Sequence, residues 1–188
     1  MADSKTALVV VDMLNRYEHE DAELLIESVR KIVPTMAGLL ERAQEADVPI
    51  VYVNDNYGDW SANRTELCRR ALEGPDPSLV EPVLPASDTN FVSKARHSIF
   101  YETPLDYLLR SEGVRRVALV GQVTEQCVLY SALDAYVRDY EIAVIRDAVA
   151  HIDSELAEAA LRMMERNMRA SLLCADELFT RPRDRADS

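Results

Sequence analysis

The sequence predicts a three-layer α/β/α domain around a six-stranded, mostly parallel sheet of order 3-2-1-4-5-6, a Rossmann-like arrangement. Three observations carry this. Short apolar runs of strand length recur along the chain, and stretches with helical periodicity separate them. The first run, Thr6-Ala7-Leu8-Val9-Val10-Val11-Asp12, is apolar without alternation, as a strand buried on both faces must be. Strands alternating with helices at this spacing imply a parallel sheet covered on both sides.

The elements follow in order. After the first strand, a helix is expected over residues 22–46. Pro34 should break or kink it, because an interior proline removes a backbone donor and crowds the preceding turn. Residues 49–54 read as the second strand, and a polar, aromatic loop over residues 55–60 follows. A shorter helix near residues 62–72 leads to a connection rich in proline (Pro75, Pro77, Pro82, Pro85). Residues 89–92 form a short third strand. Thr103 and Pro104 have the form of an N-cap and first helical position, opening a helix to about residue 110. Residues 116–121 are the fourth strand. A helix then begins at Cys127, its apolar face made by Val128, Leu129, Ala132, Leu133, Ala135, Tyr136 and Val137, and runs to about residue 140. Residues 141–146 are the fifth strand, Asp153 or Ser154 caps a helix to about residue 170, and residues 171–174 form the sixth strand. Residues 176–179 read as a final helical turn. One domain is expected over residues 1–180, with a polar tail at 181–188.

Composition narrows the partners. With 188 residues, 48% of them apolar, the chain suits a single sizeable core. Its 33 acidic against 21 basic residues give a formal net charge of -12, which repels nucleic acid and anionic membrane. A small molecule or another copy of the chain is the expected partner. Cys68, Cys127 and Cys174 are widely spaced, odd in number and without a CxxC pair, so a disulfide framework is not expected. No signal-peptide core or membrane-length apolar run is present. A reducing cytoplasm is the expected compartment.

Strand order supplies the first functional inference. In an order 3-2-1-4-5-6, strands one and four are neighbours, and ligands bind at the crevice beyond their carboxyl ends. Asp12 ends strand one and Cys127 follows strand four. A thiol in the first turn of a helix feels the positive end of the macrodipole and unpaired N–H groups, both of which favour thiolate. The competing reading is a packed core cysteine. For Asp12 it is an acid at the point where a strand meets water, and for Lys94 a solvated loop residue.

Three blocks sharpen this: Leu8-Val9-Val10-Val11-Asp12-Met13-Leu14-Asn15, Lys94-Ala95-Arg96-His97-Ser98-Ile99-Phe100-Tyr101-Glu102-Thr103, and Gly121-Gln122-Val123-Thr124-Glu125-Gln126-Cys127-Val128, with Ala132-Leu133-Asp134-Ala135 behind. In order and spacing the chain resembles, over nearly its whole length, the isochorismatase-like cysteine hydrolases. These include nicotinamidases and carbamoylsarcosine-type amidohydrolases. The resemblance implies a catalytic triad of Asp12, Lys94 and Cys127. It also implies a non-proline cis peptide at Gln122-Val123 that turns the N–H groups of Val123 and Cys127 toward the substrate as an oxyanion hole. It implies a homo-oligomer, dimer or tetramer.

The implied chemistry is hydrolysis of an amide-like C–N bond through a thioester on Cys127. Metal-dependent nicotinamidases carry an Asp and several His after strand two. Here that loop reads Asn54-Asp55-Asn56-Tyr57-Gly58-Asp59-Trp60, and His19, His97 and His151 are scattered, so no metal or cofactor is expected. Members that cleave isochorismate, a vinyl ether, lack the cysteine, which leaves that reaction as the alternative. A catalytically silent ligand-binding protein or a redox sensor at Cys127 are the others. Phosphoryl transfer at Asp12 lacks the second carboxylate that would hold Mg²⁺. Candidate substrate contacts are Asn15, Asn54, Asn56, Trp60, Phe91, Tyr101, Gln122 and Tyr130. Cys68 and Cys174 read as structural.

Overall fold

The computed structural model describes residues 5–179. Six strands, β1 (Thr6–Val11), β2 (Ile50–Asp55), β3 (Asn90–Lys94), β4 (Arg116–Gln122), β5 (Glu141–Ala150) and β6 (Ser171–Leu173), form one sheet in the order β3-β2-β1-β4-β5-β6. All five pairings are parallel. Five helices connect them: α1 (Ala22–Glu45), α2 (Arg64–Leu72), α3 (Leu105–Ser111), α4 (Leu129–Val137) and α5 (Ser154–Met168). The expected tail at 181–188 lies outside the described residues.

The strand pleat sorts the core into two layers. Leu8 and Val10 of β1 face α1 together with Tyr52, Ala118, Val120 and Ile145. Ala7, Val9 and Val11 face the opposite side, where α3, α4 and α5 supply Leu105, Leu109, Ala132, Ala135 and Met164. Both faces of β1 are therefore dry, which is why its sequence shows no alternation.

α1 runs unbroken across Pro34, against expectation. The helix buries Leu25, Val29, Ile32, Val33, Met36, Leu39 and Leu40 along one face. An interior proline costs about 3 kcal/mol, whereas each such side chain contributes roughly 1.5–3 kcal/mol on burial. Packing wins. The proline-rich connection forms two short 3₁₀ turns at Pro77–Leu79 and Glu81–Val83. Asp153 caps α5, accepting from the N–H groups of Glu155 and Leu156 at 2.9 Å each. Before α3 it is Pro104 that occupies the cap, one residue later than expected, and Thr103 hydroxyl donates to Ile99 O at 2.5 Å. Residues 175–179 form hydrogen-bonded turn rather than helix. Among the described residues, no helix is long and apolar enough to cross a membrane.

β1 and β4 are adjacent, and each is followed by chain that turns away to its own side. Their register pairs Val11 with Gly121. A Cβ on Gly121, whose φ is +112°, would lie 2.1 Å from Val11 O, so only glycine permits this approach. The carboxyl ends of the two strands are thereby held level and in contact. The crevice above them holds the candidate site.

Candidate active site

Asp12 is the first residue beyond β1, and it leaves the strand in a left-handed conformation at φ 54°. Aspartate tolerates that region better than most residues. The turn is held from three directions. Asp12 N–H donates to Val53 O at 3.0 Å, Asp55 N–H donates to Asp12 Oδ1 at 2.7 Å, and Gln122 Nε2 donates to Asp12 O at 2.6 Å. The carboxylate is 7% exposed as a residue.

Lys94 ends β3 rather than following it, because the strand continues two residues past the expected end. Its register partner is Asp55 on β2. The side chain reaches across β2 toward β1, and the Asp12 side chain closes the rest of the gap. Its ammonium, almost completely buried, lies 2.8 Å from Asp12 Oδ2 and 3.6 Å from Asp55 Oδ2. It donates to Arg96 O at 3.0 Å and reaches the Cys127 sulfur at 3.8 Å.

Cys127 lies within a helical turn that starts earlier than expected, at Thr124. This turn, Thr124–Val128, is wound wide, as a π-turn. Val123 O accepts from the N–H groups of Gln126 and Val128, both at 3.1 Å, straddling the amide of Cys127. An ordinary α-turn would commit the Cys127 amide to that carbonyl. The Gln122–Val123 peptide is cis.

The electrostatics correct one expectation. Burial, then the neighbouring Asp12 charge, push the Cys127 thiol up to about 12, with Lys94 and Val123 N–H acting the other way. Burial and Asp12 thus oppose the helix-start effect, which favours thiolate. Burial also raises the Asp12 carboxyl despite the opposing pull of Lys94. Burial works against the Lys94 ammonium, but Asp12, Cys127 and Asp55 together carry its pKa above the usual value. A carboxylate made more basic beside a thiol, with a fixed cation touching both, is suited to accepting the thiol proton as sulfur bonds to carbon.

Two functional neighbours escaped the sequence reading. Asp55 both braces Asp12 and faces Lys94; its place would follow from extending the second and third strands to their observed ends. His97 Nδ1 lies 3.6 Å from the Cys127 sulfur, and its ring packs 5.5 Å from that of Tyr130. Its position in the chain carries no signal of that contact.

The expected substrate contacts divide. Gln122 is buried and spent on structure, since its Oε1 also accepts from the Tyr17 hydroxyl at 3.4 Å. Asn54 is likewise buried: Leu14 N–H donates to its Oδ1 at 2.8 Å and its amide donates to Leu14 O at 3.2 Å. Asn56 Oδ1 accepts from Gly58 N–H at 2.9 Å. These two asparagines shape the loop instead of presenting their amides to a ligand. Phe91 packs against the α1-side core. Trp60 is 83% exposed and Tyr101 is also exposed. Asn15, whose Oδ1 accepts from Tyr17 N–H, borders a cavity of about 350 Å³ with Leu14, Tyr57 and Arg70. Of the expected contacts, Tyr130 adjoins the Cys127 sulfur through His97.

Among the described residues, three donors able to converge on a metal occur at Cys174, Asp176 and Glu177, beyond β6. The side chains after β2 hold their own loop, as given above for Asn54 and Asn56, and Asp55 Oδ1 accepts from Tyr57 N–H at 2.7 Å.

Residues 6–177 match the model of the isochorismatase domain. The chain belongs to the isochorismatase family. Within that family it is 34% identical over 179 residues to the uncharacterised isochorismatase family protein YaaI of Bacillus subtilis, covering 95% of this chain and 99% of that protein. It is 31% identical over 166 residues to maleamate amidohydrolase of Pseudomonas putida, covering 84% and 78% respectively. Among solved structures, the N-carbamoylsarcosine amidase of Thermoplasma acidophilum superposes with a TM-score of 0.71 at 32% identity, over 94% of this chain and 99% of that one. The sheet order of this isochorismatase-family domain is thus shared with enzymes named for amide hydrolysis.

Proposed function

We propose that this chain is a metal-free cysteine hydrolase that cleaves an amide-like C–N bond of a small molecule through a thioester on Cys127. The observation that carries the reading is the placement of the almost completely buried Lys94 ammonium, 2.8 Å from Asp12 and 3.8 Å from the Cys127 sulfur. Two relatives, a maleamate amidohydrolase and an N-carbamoylsarcosine amidase, support the choice of bond.

In this mechanism the Cys127 sulfur attacks the amide carbon while its proton passes to Asp12. Lys94 keeps net positive charge beside the acid and the sulfur. The tetrahedral oxyanion is received by the N–H groups of Val123 and Cys127, where one lost donor costs about 2.7–4 kcal/mol of transition-state stabilisation. Asp12 gives its proton to the departing nitrogen, the C–N bond breaks, and water then cleaves the thioester.

The test is hydrolysis of maleamate, N-carbamoylsarcosine and a panel of small primary amides and ureides by wild type and Cys127→Ala. Release of ammonia or amine by wild type alone is expected. Full turnover by Cys127→Ala would rule out covalent catalysis at that thiol.

A further inference from the structure

We propose that His97 is a fourth catalytic residue, serving the second half of the reaction as the proton carrier of thioester hydrolysis. The inference rests on Cys127 being the nucleophile and assigns the transfer from incoming water to the exposed group at the sulfur.

Three side chains reach the Cys127 sulfur: Asp12, Lys94 and His97. Asp12 and Lys94 are buried at the strand ends, and both Asp12 oxygens already have partners, Asp55 N–H on one and Lys94 Nζ on the other. His97 alone of the three is exposed. Its Nδ1 touches the sulfur at 3.6 Å, and Tyr130, also exposed, lies against its ring at 5.5 Å with a 43° tilt. The imidazole therefore stands between the sulfur and the water that must reach it.

The proton balance suits this position. Acylation ends with the thiol proton on the departed nitrogen, so the site holds a thioester, an ionised Asp12 and an incoming water. As the water oxygen bonds to the thioester carbon, the His97 imidazole accepts its proton. The tetrahedral adduct collapses, the C–S bond breaks, and the electron pair returns to sulfur. His97 then gives its proton to that sulfur across the same contact. Water plus thioester becomes carboxylic acid plus thiol, with no other reactant. General acid–base groups in such roles contribute about 10²–10⁴-fold in rate.

The probe is p-nitrophenyl acetate, whose leaving group departs without protonation, so acetylation and deacetylation of Cys127 separate in time. For His97→Gln we expect a burst of p-nitrophenolate of about one per chain, then a steady state roughly 10²–10⁴-fold below wild type. Peptide mass analysis of the quenched protein should place the acetyl group on Cys127. Imidazole added to His97→Ala, after subtraction of its direct reaction with the ester measured with Cys127→Ala, should restore part of the steady-state rate and leave the burst unaltered, which a packing role would not do. A His97→Gln steady state equal to wild type, or a loss without acetylated Cys127, overturns the assignment. A burst from Cys127→Ala would instead defeat the nucleophile reading, so the two failures are distinguishable.

Discussion

Lys94 reaches across an intervening strand to place its ammonium 2.8 Å from the Asp12 carboxylate. The two residues lie on β3 and just beyond β1, with β2 between them. Removing one partner of a buried pair leaves a charge without compensation, which costs about 3–5 kcal/mol. Lys94→Met is therefore expected to lose that much stability in urea denaturation and to abolish turnover. Lys94→Arg should not rescue activity, since a planar fork is a poor replacement for a point charge that touches both Asp12 and sulfur.

Asp12 has two effects on Cys127 that experiment can separate. Its charge and its hydrogen bond both raise the thiol pKa, while Lys94 lowers it. Asp12→Asn is expected to make Cys127 alkylate faster with iodoacetamide at neutral pH and yet to eliminate amide hydrolysis. The wild-type thiol, held near 12, should react slowly at neutral pH and faster as the solution becomes alkaline. Rapid wild-type alkylation at neutral pH, unaltered in Asp12→Asn, would contradict this electrostatic arrangement.

The same raised thiol couples stability to alkaline pH. A thiol with an ordinary value of 9.0 is held near 12 in the folded protein. Between those values the unfolded chain releases a proton that the native state keeps. The Cys127 contribution is whole below the unfolded value and declines as pH rises, by up to about 1.4 kcal/mol per unit. Cys127→Ala should thus gain stability relative to wild type between about pH 8 and about pH 10.5, measured as the difference in urea unfolding free energies. A constant difference across that window would refute the coupling.

Gly121 is expected to tolerate no side chain. A Cβ there meets Val11 O at 2.1 Å and Val11 N at 2.8 Å, and the φ of +112° disfavours L-residues independently. Backbone strain and overpacking each cost about 1–3 kcal/mol. Gly121→Ala should lower stability by about 2–5 kcal/mol in chemical denaturation and reduce activity more than Gly38→Ala, where the added methyl meets nothing within 4 Å.

The parts of this molecule that burial dictates were legible in the sequence. The run from Thr6 to Val11 reads as a central strand because both its faces pack, and that strand order already brought Asp12 and Cys127 to one crevice. Lys94 was harder to place. Ser93 and Lys94 are polar, so the pattern ends the third strand at residue 92, and Lys94 is buried only because Asp12 and Asp55 compensate it. Pro34 misled for the opposite reason, a strong local rule overridden by a long apolar face. The state of Cys127 depends on a sum over burial, Asp12, Lys94 and a turned amide, and a helix-start argument samples just one such influence. His97 meets the sulfur through tertiary folding alone, and spacing in the chain has no bearing on that contact.

Gln122 joins the two strand ends through its side chain, and this makes a last prediction. Its Nε2 donates to Asp12 O at 2.6 Å, and its Oε1 accepts from the Tyr17 hydroxyl at 3.4 Å. The carbonyl it holds belongs to a residue with φ 54°, so the amide helps fix the direction of the Asp12 carboxylate. Gln122→Leu keeps volume but strands the buried Asp12 carbonyl and Tyr17 hydroxyl, at about 1–3 kcal/mol for each unsatisfied group. Gln122→Glu restores the acceptor for Tyr17 and not the donor for Asp12. If Gln122 positions Asp12, both variants should lose kcat on an identified amide with KM little altered, and by more than any rise in the unfolded fraction accounts for. If Gln122 serves packing alone, kcat should follow stability in the two variants. Parallel thermal melts and steady-state kinetics on the same preparations decide between these outcomes.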